Sequence, residues 1–386
     1  MPMSDRPALE FIILCGFLGS GKTTLLGQFL NGRDLRDTAV IVNEAGEVGV
    51  DAAVLQEQAP EDPVLMLDNG CVCCSLRSSL VDTVLRVLSA PRPSGAPLLA
   101  RIVLETSGIS RPGVVLATLR DRELVSWPID FRVLCTFDAS RTLDSPELQM
   151  DEPLAQWAAA QRIVVTKTDL VDTAGLEQAR RSVAALNPLA ELVLETELER
   201  RVLGAFARGE PGSSAARAPR VAAGRPDAMG GPHTADAPGT QEPAQADGLV
   251  IQPASSPTAA RVLPHPRLRV FRGQAASALI WDDFAAWVDD LAGLLGERLL
   301  RFKAIVRTAD QDEAVLLQSV GTVFAAPRRA PRTTIAEGAD SSIIVIARDC
   351  EADWIDAQLP EAPVRLSAWR APARWVAAST EPHLPA

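Results

Sequence analysis

The sequence predicts an α/β chain, a doubly wound and mainly parallel sheet followed by a second, smaller α+β domain. Three observations carry this prediction. Short apolar runs of the kind that form strands buried on both faces alternate with stretches of helical period through the first half of the chain. The first run, Phe11 to Cys15, leads directly into Gly16-Phe-Leu-Gly19-Ser20-Gly21-Lys22-Thr23-Thr24, after which Leu25, Leu26, Phe29 and Leu30 recur at helical spacing. From about Arg208 to Pro266 the composition shifts to Ala, Pro, Gly, Ser and Arg, and apolar patterning returns only near Leu268. Two folded units therefore flank a linker.

At 386 residues, 47% of them apolar, the chain is long enough for two domains with separate cores. A formal net charge of −11 without clustered basic residues argues against a nucleic-acid surface. No apolar run approaches the roughly 20 residues that span a bilayer. Phe11 to Leu18 is too short and too early to be a signal peptide, so a cytoplasmic location is expected. Six cysteines, three of them within four positions, do not suit a secreted disulfide framework and point to metal or redox chemistry in a reducing compartment.

The opening strand, loop and helix have the P-loop spacing Gly-x4-Gly-Lys-Thr. Its glycines leave backbone N–H groups free to curl around phosphate oxygens, and the following helix presents its positive end to the same anion. Gly16, Gly19, Ser20, Gly21, Lys22, Thr23 and Thr24 are accordingly assigned to nucleotide binding, with Lys22 on the outer phosphates and the Thr23 hydroxyl on Mg²⁺. The chain contains only three lysines, Lys22, Lys167 and Lys303. Where arginine is otherwise preferred, a surviving lysine marks a place that needs a compact ammonium.

A polar turn from Asn31 to Asp37 precedes the strand-like run Ala39 to Asn43. The acidic, Gly-rich loop Asn43 to Asp51 follows, either a switch segment sensitive to a γ-phosphate or a solvated turn. After the short apolar piece Leu65 to Leu67 comes Asn69-Gly70-Cys71-Val72-Cys73-Cys74, just ahead of a helix expected from Leu76 to Leu88. Thiolates are soft ligands suited to zinc, cobalt or copper(I), and a helix N-terminus favours the thiolate form. Disulfide exchange remains open as an alternative. Cys15, Cys135 and Cys350 read as core residues.

Beyond a break at Arg92 to Pro97, Arg101 to Glu105 reads as a buried strand ending in an acid. That position makes Glu105 a support for Mg²⁺ and Gly108 a γ-phosphate sensor. Another strand is expected from Phe131 to Phe137, ending at Asp138, and another from Arg162 to Thr166. The latter leads into Thr166-Lys167-Thr168-Asp169, which resembles the Asn-Lys-x-Asp of G proteins. In that motif the aspartate accepts hydrogen bonds from guanine N1–H and its exocyclic amine, a donor pair that adenine lacks, and the lysine stem lies along the base. A helix from Leu176 to Leu186 stops at Asn187-Pro188, and Leu192 to Thr196 is the last strand of the unit.

Past the linker, a helix is expected over Trp281, Phe284, Trp287, Val288 and Leu291. Ordered structure is expected to return near Leu268 to Phe271, with strands at Leu299 to Val306, Ala314 to Phe324 and Ser342 to Ala347, and a short helix at Glu351 to Leu359. The boundaries are a nucleotide-binding domain at 1–207, a largely disordered linker at 208–266, a C-terminal domain at 267–360 and a Pro-rich tail at 361–386 whose Trp369 and Trp375 either pack back on the fold or stay loose.

With the P-loop, Asn43-Glu44, Cys71-Val72-Cys73-Cys74, Glu105-Thr106-Ser107-Gly108 and Thr166-Lys167-Thr168-Asp169 in this order, the chain resembles the CobW-family G proteins. Leu299-Leu300-Arg301-Phe302-Lys303 and Leu317-Gln318-Ser319-Val320-Gly321 resemble that family's C-terminal domain. The resemblance implies a GTP-hydrolysing metallochaperone using GTP and Mg²⁺, with zinc or cobalt on Cys71, Cys73 and Cys74 and Glu47 as a further ligand. Zinc is the expected metal, and cobalt for cobalamin or cobalt-enzyme maturation is the alternative. Its partners would be GTP/GDP and a client metalloprotein, with a homodimer left open and neither nucleic acid nor membrane involved. Two rival readings are a metal or redox sensor with nucleotide as a structural cofactor, and an ATP-dependent kinase-like enzyme. The chain departs from the family in lacking a His-rich linker, since its histidines are His233, His265 and His383; a lone linker histidine would be solvated. It also has Ala45 where Phe is common. No water-orienting glutamine or arginine finger stands out, which predicts slow intrinsic turnover.

Overall fold

The computed structural model describes residues 8–31, 35–42, 64–66, 76–92, 97–141, 145–208, 265–275, 278–311, 313–330 and 341–369. Seven strands form the first sheet: β1 (Leu9–Gly16), β2 (Thr38–Val42), β3 (Val64–Met66), β4 (Arg101–Glu105), β5 (Ile129–Asp138), β6 (Arg162–Thr166) and β7 (Glu191–Val193). They lie in the order β3-β2-β4-β1-β5-β6-β7, and every pairing is parallel. The helices are α1 (Lys22–Leu30), α2 (Leu76–Ser89), α3 (Pro112–Leu119), α4 (Asp151–Ala159), α5 (Thr173–Leu186) and α6 (Leu198–Ala205).

Because side chains alternate across a strand, the continuous apolar runs serve two cores at once. Phe11, Ile13 and Cys15 pack with residues of α2, α4 and α5, whereas Ile12 and Leu14 pack with Leu25, Leu26 and Phe29 of α1 and with α6. The sheet is thus wound on both faces, as expected. β1 lies between β4 and β5, which places the crevice at its carboxyl end, where such sheets bind ligands.

Some boundaries differ from expectation for local reasons. α5 starts at Thr173, because the Asp172 side chain caps it by accepting from the Gly175 N–H at 2.8 Å. β7 ends at Val193 instead of Thr196. The carbonyls of Glu195 and Thr196 accept from the Arg201 guanidinium at 2.9 and 3.1 Å, outside the strand ladder.

The second sheet contains β8 (Leu268–Ala275), β9 (Leu299–Val306), β10 (Val315–Val320), β11 (Val323–Phe324), β12 (Arg328–Arg329), β13 (Ser341–Arg348) and β14 (Val364–Ala368). Its main path is β11-β10-β9-β13-β8-β14, antiparallel throughout, with β12 on β10. Helices α7 (Trp281–Leu295) and α8 (Ala352–Gln358) accompany it. The single strand expected over Ala314 to Phe324 is a hairpin folded at Gly321, whose φ is 56°.

One alternative is settled and one expectation corrected at the ends of this domain. Ordered chain continues past Pro360: Val364 and Leu366 are buried while Arg365 and Ser367 are exposed, so β14 has the period of a half-buried edge strand and pairs with β8. The Trp369 N–H donates to the Val270 carbonyl at 2.8 Å, whereas Trp375 and His383 lie outside the described residues. At the other end His265 is 2% exposed instead of solvated, with its Nδ1 accepting from the Arg267 N–H at 3.2 Å. His233 lies outside the described residues.

The domains meet through α4 and β9. Leu268, Leu300, Val320 and Ile346 of the second sheet join the core of the first domain. Arg301 donates to the Ala159 carbonyl at the end of α4 at 2.8 Å. Asp151, in the first turn of α4, pairs with Arg267 at 2.8 Å and also with Arg348. Burial works against the charge on Asp151, but Arg348 and Arg267 outweigh it and hold its carboxyl below the usual range.

The third lysine lies in this region. Lys303 is 6% exposed, and burial, with Arg301 on the same strand, pushes its amine down to about 7. The unfolded chain therefore binds more protons than the folded one between pH 7 and about 10.4, the ordinary lysine value, and stability rises with pH across that window. Urea denaturation should give a stability that climbs by at most about 1.4 kcal/mol per pH unit from pH 7 to 10, an effect that Lys303→Met removes. A flat profile in the parent chain would count against the depressed amine. No helix among the described residues is long and apolar enough to cross a membrane.

Candidate functional site

The loop between β1 and α1 is held by the ends of the neighbouring strands. Ser20 Oγ and Thr136 Oγ1, the latter on β5, are 2.6 Å apart. Thr166 Oγ1, at the end of β6, donates within 2.7 Å of the Ser20 carbonyl and 3.1 Å of the Phe137 carbonyl. Thr166, which stands where asparagine is commoner, thus ties the loop to the Thr166-Lys167-Thr168-Asp169 motif. Gly16 is required by the closeness of this packing: its φ is 149°, and a Cβ there would lie 2.0 Å from Thr136 Oγ1. Gly19 and Gly21 also have positive φ, at 69° and 87°.

Lys22 opens α1 and is 9% exposed, its Nζ donating to the Gly16 carbonyl at 2.9 Å and more weakly toward Phe17 at 3.4 Å. The ammonium is therefore inside the loop's curl. Thr24 lies on the exposed side of the same helix. Thr23 Oγ1 donates to Glu105 Oε1 at 2.6 Å, joining the start of α1 to the end of β4. A hydroxyl and a carboxylate are hard oxygen donors of the kind Mg²⁺ takes alongside phosphate oxygens, so the residues present fit that ion.

Gly108 closes this side. A Cβ there would meet the backbone of Leu18, at 2.8 Å from its N and 2.9 Å from its Cα. The segment after β4 therefore rests directly on the P-loop. Gln156 of α4, fully buried, donates through Nε2 to the carbonyls of Gly108 and Ser110, both at 2.9 Å. A lone glutamine inside a helix carries no sequence signal, and the residue was not anticipated.

At the other side of the crevice Lys167 has a left-handed φ of 53°, and its Nζ pairs with Asp138 Oδ2 at 2.7 Å. Asp138 is 4% exposed; burial raises its carboxyl, but Lys167 and Ser140 overcome this and hold it below the usual range. An acid ending a buried apolar run was the available signal for Asp138. Asp169 is exposed in the short turn Thr168–Leu170. That turn is braced by Arg201, whose Nη2 donates to Thr168 Oγ1 at 2.5 Å.

The structure thus brings Gly16, Gly19, Ser20, Gly21, Lys22, Thr23, Glu105, Gly108, Thr166, Lys167 and Asp169 to one edge of the sheet. Glu47 and the rest of the Asn43 to Asp51 loop, together with Cys71, Cys73 and Cys74, lie outside the described residues. Among the described residues, no group of three or more His, Cys, Asp or Glu side chains could hold a metal ion. Cys15, Cys135 and Cys350 are buried and free, in keeping with core roles. Burial pushes the Cys350 thiol up to about 11, which makes it a poor thiolate ligand.

Residues 10–194 match the model of the CobW/HypB/UreG nucleotide-binding domain, and residues 269–362 that of the cobalamin synthesis protein cobW C-terminal domain. Over 230 residues the chain is 31% identical to the zinc chaperone CobW of Pseudomonas aeruginosa PAO1, covering 50% of this chain and 58% of that protein. It is 34% identical over 186 residues to the zinc chaperone YjiA of Escherichia coli K12, covering 48% and 56% of the two chains. With the zinc-regulated GTPase metalloprotein activator 1 of Schizosaccharomyces pombe it shares 28% over 189 residues, covering 48% and 45%. The chain thus spans about half the length of the curated relatives it matches. Among solved structures, the Zn(II)-bound YjiA GTPase from E. coli superposes with a TM-score of 0.58 at 19% identity, over 92% of this chain and 99% of that one, which shows a shared fold. With a P-loop domain of one model followed by the C-terminal domain of the other, the chain belongs to the CobW family.

Proposed function

We propose that the protein is a GTP-hydrolysing metallochaperone that binds zinc through Cys71, Cys73 and Cys74 and passes it to a client metalloprotein. The observation that carries this reading is the contact of Thr23 with Glu105 at 2.6 Å beside Gly108, which rests on Leu18. It joins the groups suited to magnesium to the segment suited to sensing a γ-phosphate. β2 and β3 end at that same sheet edge, and the chain leads from them toward Glu47 and the three cysteines. The zinc named for the relatives favours zinc over cobalt.

In this reading Lys22 and the loop N–H groups bind the phosphates, while Asp169 and Lys167 orient the guanine. Thr23 and Glu105 would hold Mg²⁺, which when bound neutralises charge on the β- and γ-phosphate oxygens. Gly108 reports the γ-phosphate, and Gln156 transmits its displacement to α4 through the Gly108 and Ser110 carbonyls. Turnover by the isolated chain is expected to be slow, because the sequence offers no evident water-orienting glutamine.

Coupling requires different zinc affinities in the two nucleotide states, since equal affinity shifts nothing. Chelator competition should show zinc bound at least about tenfold more tightly with a non-hydrolysable GTP analogue than with GDP, a gap of about 1.4 kcal/mol. The Cys71/Cys73/Cys74→Ser variant should lose that difference. Equal affinity in both states would instead favour a sensor that holds nucleotide structurally.

A further inference from the structure

A cation not called for by any sequence motif sits on the lip of the phosphate-binding loop. β5 ends at Asp138, and the chain turns sharply: the Ser140 N–H and Oγ donate to Asp138 Oδ1 at 3.0 and 2.6 Å, and the Arg141 N–H donates to the Asp138 carbonyl at 3.2 Å. Since β5 pairs directly with β1, this turn delivers the Arg141 side chain to the P-loop. Its Nη2 donates to the Leu18 carbonyl at 3.1 Å, and its Nε lies 3.4 Å from Asp138 Oδ2. The guanidinium sits over the Phe17 ring, 5.4 Å from the centroid. An ideal Cβ on Gly19 would be 3.9 Å from Nη2.

Two features give the guanidinium a direction. Leu18, whose carbonyl it holds, is the residue on which Gly108 rests, so Arg141 and Gly108 flank the same point of the loop. Arg141 approaches that point from beyond β5 and Gly108 from beyond β4, on the two sides of β1. The Nη1 group of Arg141 is also buried without a hydrogen-bond partner among the described residues. A buried N–H donor without an acceptor is costly, and an anionic oxygen is the acceptor that a guanidinium fork suits best. The Phe17 ring and Asp138 fix the plane of the fork, so little side-chain freedom remains to be lost when a phosphate arrives.

We propose that Arg141 is a γ-phosphate ligand supplied in cis, exchanging its hold on the Leu18 carbonyl for a nonbridging γ-phosphate oxygen. This rests on the reading of GTP as substrate. In hydrolysis the oxygen of water bonds to the γ-phosphorus. The bond from that phosphorus to the β,γ-bridging oxygen breaks with its electron pair left on GDP; one proton of the water stays on the new P–OH of inorganic phosphate and the other passes to solvent. Arg141 donates N–H groups to the γ-oxygens throughout and transfers nothing. Its charge stabilises the phosphoryl group without activating water, which is compatible with slow turnover.

The test compares Arg141→Ala and Arg141→Lys with the parent chain, measuring affinity for GDP and for a non-hydrolysable GTP analogue, and the hydrolysis rate. In Arg141→Ala, analogue affinity and turnover should each fall by about tenfold or more while GDP affinity stays within about threefold, and Arg141→Lys should recover part of the loss. Retained GDP binding shows that the variant is folded. Equal losses for GDP and analogue would make Arg141 a brace of the loop and overturn the proposal, as would no change in either. A parent chain that fails to bind the GTP analogue would defeat the substrate reading instead.

Discussion

Lys22→Ala is expected to weaken binding of a GTP analogue by about 30- to 4,000-fold, the equivalent of about 2–5 kcal/mol for removing one partner of a buried, hydrogen-bonded charge pair. Lys22 Nζ is gathered into the loop by the Gly16 and Phe17 carbonyls, within a residue that is 9% exposed. A phosphate entering the curl meets an ammonium already stripped of most of its water and confined to a small volume, so the attraction is stronger than it would be at a solvated surface. Arginine would not substitute. Its fork is larger and planar, and the space around Nζ is bounded by backbone, so Lys22→Arg should also fail to bind. Fluorescent-nucleotide titration checks both variants, with thermal denaturation as the control for folding. An alanine variant that bound within threefold of the parent would remove Lys22 from the phosphate site.

The fold was legible because both of its signals are local. Runs such as Ile102 to Leu104 and Ile163 to Val165 are apolar at every position, and only a strand covered on two faces needs that. The P-loop was equally plain, since its glycines and lysine must be contiguous to curl around one phosphate. Residues that act across long sequence separations left no comparable mark. Gln156 reaches carbonyls some 46 to 48 positions away, and Arg141 reaches the carbonyl of Leu18 across 123. Neither belongs to a spacing that a single sequence displays. β14 escaped for another reason: its alternation, Val364 and Leu366 in and Arg365 and Ser367 out, is only five residues long and sits in Pro-rich surroundings. Its burial is supplied by β8, which lies almost a hundred positions earlier.

Asp169→Asn is expected to lower GTP affinity by about a hundredfold or more and to raise affinity for xanthosine triphosphate, because the change alters which atoms can donate. A carboxylate only accepts, which matches the N1–H and exocyclic amine of guanine. An asparagine amide turns one of those acceptors into a donor and leaves it facing a donor on the base. Xanthine carries a carbonyl where guanine has the amine, and that oxygen can accept from the amide. The substitution should leave the turn intact. Asp169 is exposed, and Arg201, which feels its charge, is held independently by Thr168 Oγ1 and by the Glu195 and Thr196 carbonyls. Titration of the parent and the variant with GTP, ATP and xanthosine triphosphate separates the readings. If the variant keeps parental GTP affinity, Asp169 does not read the base. Should the parent also bind ATP as well as GTP, guanine selection fails altogether, and the kinase-like reading of the P-loop becomes the better account of this crevice.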